Sequence, residues 1–183
     1  MRFVGIDPST KTGFVALDEA GNVERAKELT GVGSQDPKRM TTLIDEIMRH
    51  IQPDDVICIE SPAMHAQGSA VGFMWGLAHG VRMALHRRGL HYYDVAPTAV
   101  KKFATGKGNT KKDEMVLPIY RKWGFEHKSD NVRDGFVLSK IAECLKKSKS
   151  LGIPDTETKY EAEVVQSILW PQSKSRGGKL VKK

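Results

Sequence analysis

Cysteine is nearly absent from this 183-residue chain, which holds only Cys58 and Cys144 in apolar or helical surroundings. Two such residues exclude a disulfide scaffold and point to reduced thiols in a cytoplasm. Long apolar runs are missing as well. The stretch nearest to a membrane span, "GSAVGFMWGLAHGVRMAL" (68–85), is interrupted by His79 and Arg82. It falls short of the roughly 20 apolar residues that a span needs. No basic-then-apolar leader precedes the first apolar segment, so no export signal is expected, and no internal repeat is visible. Acids are missing from two segments. Residues 100–112, "VKKFATGKGNTKK", carry five lysines and no acid, and Pro171–Lys183 carry five basic residues and no acid. The whole chain has a formal charge of +7 and a pI near 9.4, which favours an anionic partner.

What is present is an ordinary apolar fraction of 39%, enough for one domain with a core of its own. Residues 2–7 and 12–18 read as strands, "DEAGN" (18–22) as a turn, and 23–30 as a third strand, giving a hairpin meander. Met40, Leu43, Ile44, Ile47 and Ile51 recur at helical spacing over 38–51. "DDVICIE" (54–60) is a near-continuous apolar strand of the kind buried on both faces. A helix at 67–88, a short strand "HYYDVA" and a helix opening at Pro97 follow. Further helices are expected at 111–123, 131–147 and 156–169. The fold class is α/β, a mixed five-stranded sheet flanked by helices. The main domain spans 1–150, with a C-terminal helix in 151–170 and a basic, disordered tail in 171–183. Gly68, Gly72, Gly76 and Gly80 form a four-residue stripe, expected to pack closely on the sheet or to form a helix seam between two copies of the chain.

The acids carry the chemistry. Asp7 and Glu60 both stand where a buried strand ends. Alone, Asp7 reads as a turn residue before Pro8, and Glu60 as a surface residue at a strand end. If the two strands are parallel neighbours, their carboxylates lie side by side and stay ionised only with a cation between them. A divalent ion that prefers hard oxygen ligands fits, Mg2+ foremost. In "SDNVRDGFVLSKIAECL", Asp130 and Asp134 continue the inward stripe of Leu138, Ile141 and Leu145. Asp130 would also serve as an N-cap, and Asp134 as a first-turn acid. Four acids from three distant places would hold two metal ions about 4 Å apart, the arrangement that activates water in phosphoryl transfer.

"GIDPSTKTGF", "ICIESP", the Lys-rich Gly loop and the acidic "DNVRDG" helix together resemble the RuvC family of Holliday junction resolvases, within the RNase H-like fold. The resemblance runs over about residues 2–147. It implies a structure-selective endonuclease that acts as a homodimer on four-way DNA junctions and uses Mg2+, two ions, with Mn2+ able to substitute. It implies cuts that leave a 5′-phosphate and a 3′-hydroxyl. Asp7, Glu60 and Asp134 fall on the family's catalytic, metal-binding carboxylates. The family's last acid pair is often spaced by three, which would put Asn131 in the ligand position; Asp130 is the better chemical candidate because it carries charge. The family's phage members resemble this Asp-Asn pattern more closely, so the expected setting is the cytoplasm of a bacterium or of a phage-infected host.

Lys101 and Lys112 match family lysines implicated in DNA binding and catalysis. With Lys102, Lys107 and Lys111 they form the expected DNA-binding set, positioning phosphates without reading sequence. Arg82, His86, Arg87 and Arg88 form a second basic strip, which a helix C-terminus would also favour. Relatives commonly place an aromatic three residues past the strand glutamate; here that position is Ala63, and Phe73 and Trp75 are expected in the core. The partners expected are branched DNA and a second copy of the chain, with no membrane and no small-molecule substrate. Alternatives are a broader branched-DNA debranching nuclease, an enzyme for RNA–DNA hybrids, and a non-catalytic DNA-binding protein on the same fold. "GID" also opens the sugar-kinase and actin-like fold, but that fold needs two such halves.

Overall fold

The computed structural model describes residues 1–62 and 71–171. Strands β1 (Phe3–Asp7), β2 (Thr12–Leu17) and β3 (Val23–Leu29) form an antiparallel meander, while β4 (Val56–Glu60) and β5 (Tyr92–Val95) run parallel to β1. The order β3-β2-β1-β4-β5 makes the mixed five-stranded sheet expected from the sequence. The charged β3, largely open to solvent, blunts one edge. At the base of the sheet, buried Arg2 bonds Asp55 through two nitrogens at 3.0 and 2.8 Å, tying the starts of β1 and β4 together.

Helices cover both faces. α1 (Lys38–His50) and α2 (Val71–Arg87) pack on Val4, Ile6, Phe14, Ile57 and Ile59. On the opposite face α5 (Asp130–Leu151) lies against the sheet, backed by α3 (Pro97–Thr105), α4 (Val116–Trp123) and α6 (Lys159–Leu169). The observed elements follow the expected ones within a few residues at most ends. The segment expected as one helix over 111–123 is a single 3-10 turn, Asp113–Met115, followed by α4. Gly68, Ala63 and the expected disorder of 172–183 lie outside the described residues.

Within the chain the described glycines of the stripe do not meet the sheet, and Gly72 has no atom within 4 Å of where a Cβ would stand. Gly76 and Gly80 face α1: a Cβ on Gly76 would lie 3.0 Å from Met40 Cε, and one on Gly80 would lie 2.5 Å from Ile44 Cδ1. The side chains of α1 fill the space that the missing methyls leave. Phe73 packs against this core as expected, whereas Trp75 is partly exposed and stacks on His79 with ring centroids 5.6 Å apart.

The closest approach of backbones lies on the other face. A Cβ on Gly5 would lie 1.9 Å from the Gly135 carbonyl oxygen, and a Cβ on Gly13 would lie 1.9 Å from the Asn131 carbonyl oxygen. Gly135 itself faces back onto Gly13 and Gly5. Rigid backbone on both sides leaves nothing to yield. Gly5→Ala is therefore expected to cost on the order of 3–5 kcal/mol, in the range reserved for severe overpacking. Gly80→Ala meets only the end of one isoleucine side chain and should cost about 1 kcal/mol or less. Urea unfolding midpoints of the two variants test this, and equal losses would sink it.

Candidate active site

Strand alternation decides where each carboxylate points. Phe3 packs in the α5-side core and Val4 and Ile6 in the other, so Asp7 shares the α5 face with Phe3 and Gly5. On β4, Cys58 lies on the α5 side and Ile57 and Ile59 opposite, which returns Glu60 to the α5 side. Pairing of Gly5 with Cys58 and Ile6 with Ile59 brings the two acids level at the strand ends. The turn after Asp7 is closed by Ser9 and Thr12, with Ser9 N–H donating to Thr12 Oγ1 at 3.2 Å. Asp7 is buried, and its carboxylate is not what shapes that turn.

α5 delivers the other two acids. Ser129, not Asp130, is the N-cap, accepting from the Val132 N–H at 3.4 Å. Asp130 opens the helix and is half-exposed, and Asp134 lies one turn on and is buried. Lys112 joins them: its Nζ lies 3.0 Å from Asp130 Oδ2 and 3.2 Å from Asp134 Oδ2. Asn131 spans two partners: its Oδ1 accepts from Lys112 Nζ at 3.5 Å, and its Nδ2 donates to the Lys11 carbonyl at 2.8 Å.

The four acids share one electrostatic environment. Burial pushes the Asp7 carboxyl up to about 7, with Asp134 adding to the shift and Lys112 opposing it. Burial, then the charges of Asp7 and Asp134, hold Glu60 well above its ordinary value against the pull of Lys112 and Lys101. Burial raises Asp134 despite Lys112. Asp130 is partly buried too, yet its hydrogen bond from Lys112 and the charge of that ammonium hold it below the ordinary value. Burial works against the charge on Lys112, but Asp134 and Asp130 outweigh it and raise its pKa.

The convergence expected from the sequence is therefore present as a field, but not as a closed ligand shell. Among the described residues no three His, Cys, Asp or Glu side chains gather tightly enough to ligate one ion as they stand. Carboxylates approach one another across a cation or by holding a proton, and the cation between Asp130 and Asp134 here is an ammonium. An all-oxygen set of four carboxylates, two of them buried and two partly exposed, fits a hard divalent ion.

The basic segment divides. Lys112 stands among the acids and Lys101 close enough to act on Glu60. Lys107 and Lys111 are exposed on a loop that Thr105 and Thr110 close through a 2.8 Å hydroxyl contact. Lys102 pairs with Glu163 of α6 at 2.6 Å, away from the acids. Gly106 is the left-handed cap of α3, which supplies a local reason for that glycine. In the second basic strip, Arg88 donates to the Met48 carbonyl at 2.6 Å at the end of α1. Arg82 bonds the carbonyl of Glu60 itself, a link no periodicity announces.

No protein-family model matches the chain. A RuvC crossover junction endodeoxyribonuclease of Rhizobium etli is 31% identical over 150 residues, covering 76% of this chain and 87% of that protein. Those of Chloroflexus aggregans and Agrobacterium fabrum are each 32% identical over 63% and 65% of this chain. Thermus thermophilus RuvC, solved with Holliday junction substrate, superposes with a TM-score of 0.61 at 15% identity, over 82% of this chain and 96% of that one. A second structure of Thermus thermophilus RuvC gives 0.54 at 18%. The architecture is thus the RNase H-like one, used by metal-dependent nucleases. The chain belongs to the RuvC family.

The raised carboxyls make a stability prediction. Folded protein keeps a proton on Asp7 up to about pH 7, whereas the unfolded chain releases it near 3.8. That stabilisation is complete below the unfolded value and is lost as pH rises through the folded one. In EDTA the melting midpoint should fall between about pH 4 and pH 7 and level off above it. Asp7→Asn should flatten the fall and gain on the order of 1–3 kcal/mol at pH 8. Parallel pH profiles for the two proteins would refute the assignment.

Proposed function

We propose that this protein is a structure-selective DNA endonuclease that resolves four-way junctions by Mg2+-dependent phosphodiester hydrolysis, working as a homodimer in the cytoplasm. The observation that carries the reading is buried Asp7 and half-buried Glu60 at neighbouring strand ends facing Asp130, Asp134 and Lys112, in a chain whose relatives are crossover junction endodeoxyribonucleases. The field of these acids supports two ions, and Mn2+, with the same oxygen preference, is expected to substitute.

Asp7, Glu60, Asp130 and Asp134 would hold the metal. Bound there, the metal supplies an activated water and a stabilised leaving oxygen at the scissile phosphate. Asp7 and Glu60 come from paired strands, so their spacing is set by the sheet rather than by a loop. Burial excludes competing water and strengthens every charge interaction inside. Lys112 neutralises Asp130 and Asp134 in the free protein and is placed to contact a phosphate entering beside them. Lys101 is near enough for its charge to act on Glu60, and exposed Lys107 and Lys111 extend the positive surface along the DNA backbone. Lys102, held by Glu163, contributes through general charge rather than direct contact.

Two assays follow. A labelled four-way junction, a matched fork and a linear duplex are incubated with Mg2+ and with EDTA. Symmetric, metal-dependent cuts confined to the junction are expected; cuts in the fork as well indicate a general debranching nuclease, and binding without cutting removes the enzymatic reading. Separately, Asp7→Asn should abolish cleavage with junction binding kept, and Asp130→Asn should slow cleavage far more than Asn131→Ala. The reverse ranking would move the fourth ligand to Asn131.

A further inference from the structure

The peptide group that follows Glu60 is gripped at both of its polar atoms. Its oxygen accepts from Arg82 Nη2 at 3.2 Å. Its N–H, on Ser61, donates to the Val95 carbonyl at 2.9 Å. Arg82 stands on α2 with its side chain only 12% exposed. Its Nη1 donates to the Ala78 carbonyl one turn back at 2.8 Å, and its Nε and Nη2 reach Asp94 Oδ1 at 2.9 and 2.5 Å. Asp94 and Val95 are adjacent on β5, so one two-residue stretch orients the guanidinium and holds the Ser61 N–H. An arginine that merely balanced the C-terminal end of α2 would need none of these partners. An Arg–Asp pair whose aspartate is half-exposed adds little to stability; what it does here is aim the guanidinium at one carbonyl.

We propose that Arg82 is a positioning residue for Glu60, fixing the backbone at the end of β4 so that the carboxylate keeps its place opposite Asp7. The inference rests on the carboxylate reading above. Fixing the peptide plane limits rotation about the Glu60 Cα–C bond, and with it the direction in which Cβ leaves the strand. Without that hold, the repulsion from Asp7 and Asp134 would drive Glu60 outward. Arginine meets these three acceptors from three nitrogens held in one plane, whereas the three donors of a lysine ammonium radiate from a single atom and do not span the same positions.

The test is metal binding by the full chain without DNA, followed by calorimetry with Mn2+ for the parent, Arg82→Lys and Asp94→Asn. Arg82→Lys is expected to weaken Mn2+ binding about 10-fold or more, the usual effect of losing an outer support of a metal ligand. The Mg2+ concentration for half-maximal junction cleavage should rise with it, while junction binding in EDTA stays unchanged. Asp94→Asn keeps Arg82 and an acceptor, so it should shift both quantities the same way but less. Should Arg82→Lys not fold, Asp94→Asn decides alone. Metal titrations that superimpose on the parent's, with only a lowered urea midpoint, would overturn the proposal. A parent chain that binds no Mn2+ would instead overturn the carboxylate reading, and the role of Arg82 with it.

Discussion

The arrangement depends on a contact with no side chains in it. α5 lies directly on the backbones of β1 and β2 because Gly5, Gly13 and Gly135 offer no Cβ where the two layers meet. Any larger residue at Gly5 or Gly13 would push the helix away from the strands. Asp134 would then leave the neighbourhood of Asp7, and the carboxylates would no longer act on one another. Glycine is unfavourable in strand and helix interiors. Its use at three facing positions therefore favours proximity of the acids over local stability.

That proximity creates the second constraint. Buried and half-buried carboxylates on β1, β4 and α5 repel one another, and removal from water opposes their ionisation. The free protein answers with Lys112, whose ammonium lies between Asp130 and Asp134. Asn131 links the same region to the β1–β2 turn through the Lys11 carbonyl, and Arg82 holds the carbonyl of Glu60. Asp130 and Asp134 are thus backed by an ammonium, and Glu60 only through its own backbone carbonyl. A site kept under electrostatic strain at a rigid junction of strands and helix is what cation-assisted chemistry needs.

The remainder of the fold supports this junction from outside. α1 and α2 interlock through Met40 and Ile44 over Gly76 and Gly80, which seats α2 and so places Arg82. On the other face α3, α4 and α6 bury the outer side of α5, where Phe125 stacks on Phe136 and Trp123 meets Phe136 edge to face. Lys122 pairs with buried Glu161, which also closes the capping box of α6. α5 is consequently packed on both sides, and its N-terminal end, where a helix favours negative charge, stays over the strand ends. Structures at 15% and 18% identity share this frame, as expected when packing geometry rather than particular side chains defines a fold.

The sequence by itself determined the elements, the mixed sheet and the identity of the acids. Alternating and helical apolar periods set strand and helix, and period-two alternation already sends Asp7 and Glu60 to one face. It also placed Asp134 on the inward stripe of its helix, because that stripe continues through Leu138 and Leu145. Local pattern did not separate Asp130 from the cap, which the structure assigns to Ser129, nor tell Lys102 from its neighbours, since a run of lysines carries no direction. Nor did it choose what Gly76 and Gly80 meet within the chain, which is α1. Only the tertiary structure decided that Lys112 sits among the acids, that Arg82 holds the carbonyl of Glu60, and that Gly5, Gly13 and Gly135 meet. Those are relations between segments up to about 130 residues apart, and short-range periodicity carries no information about which distant surface a given face will meet.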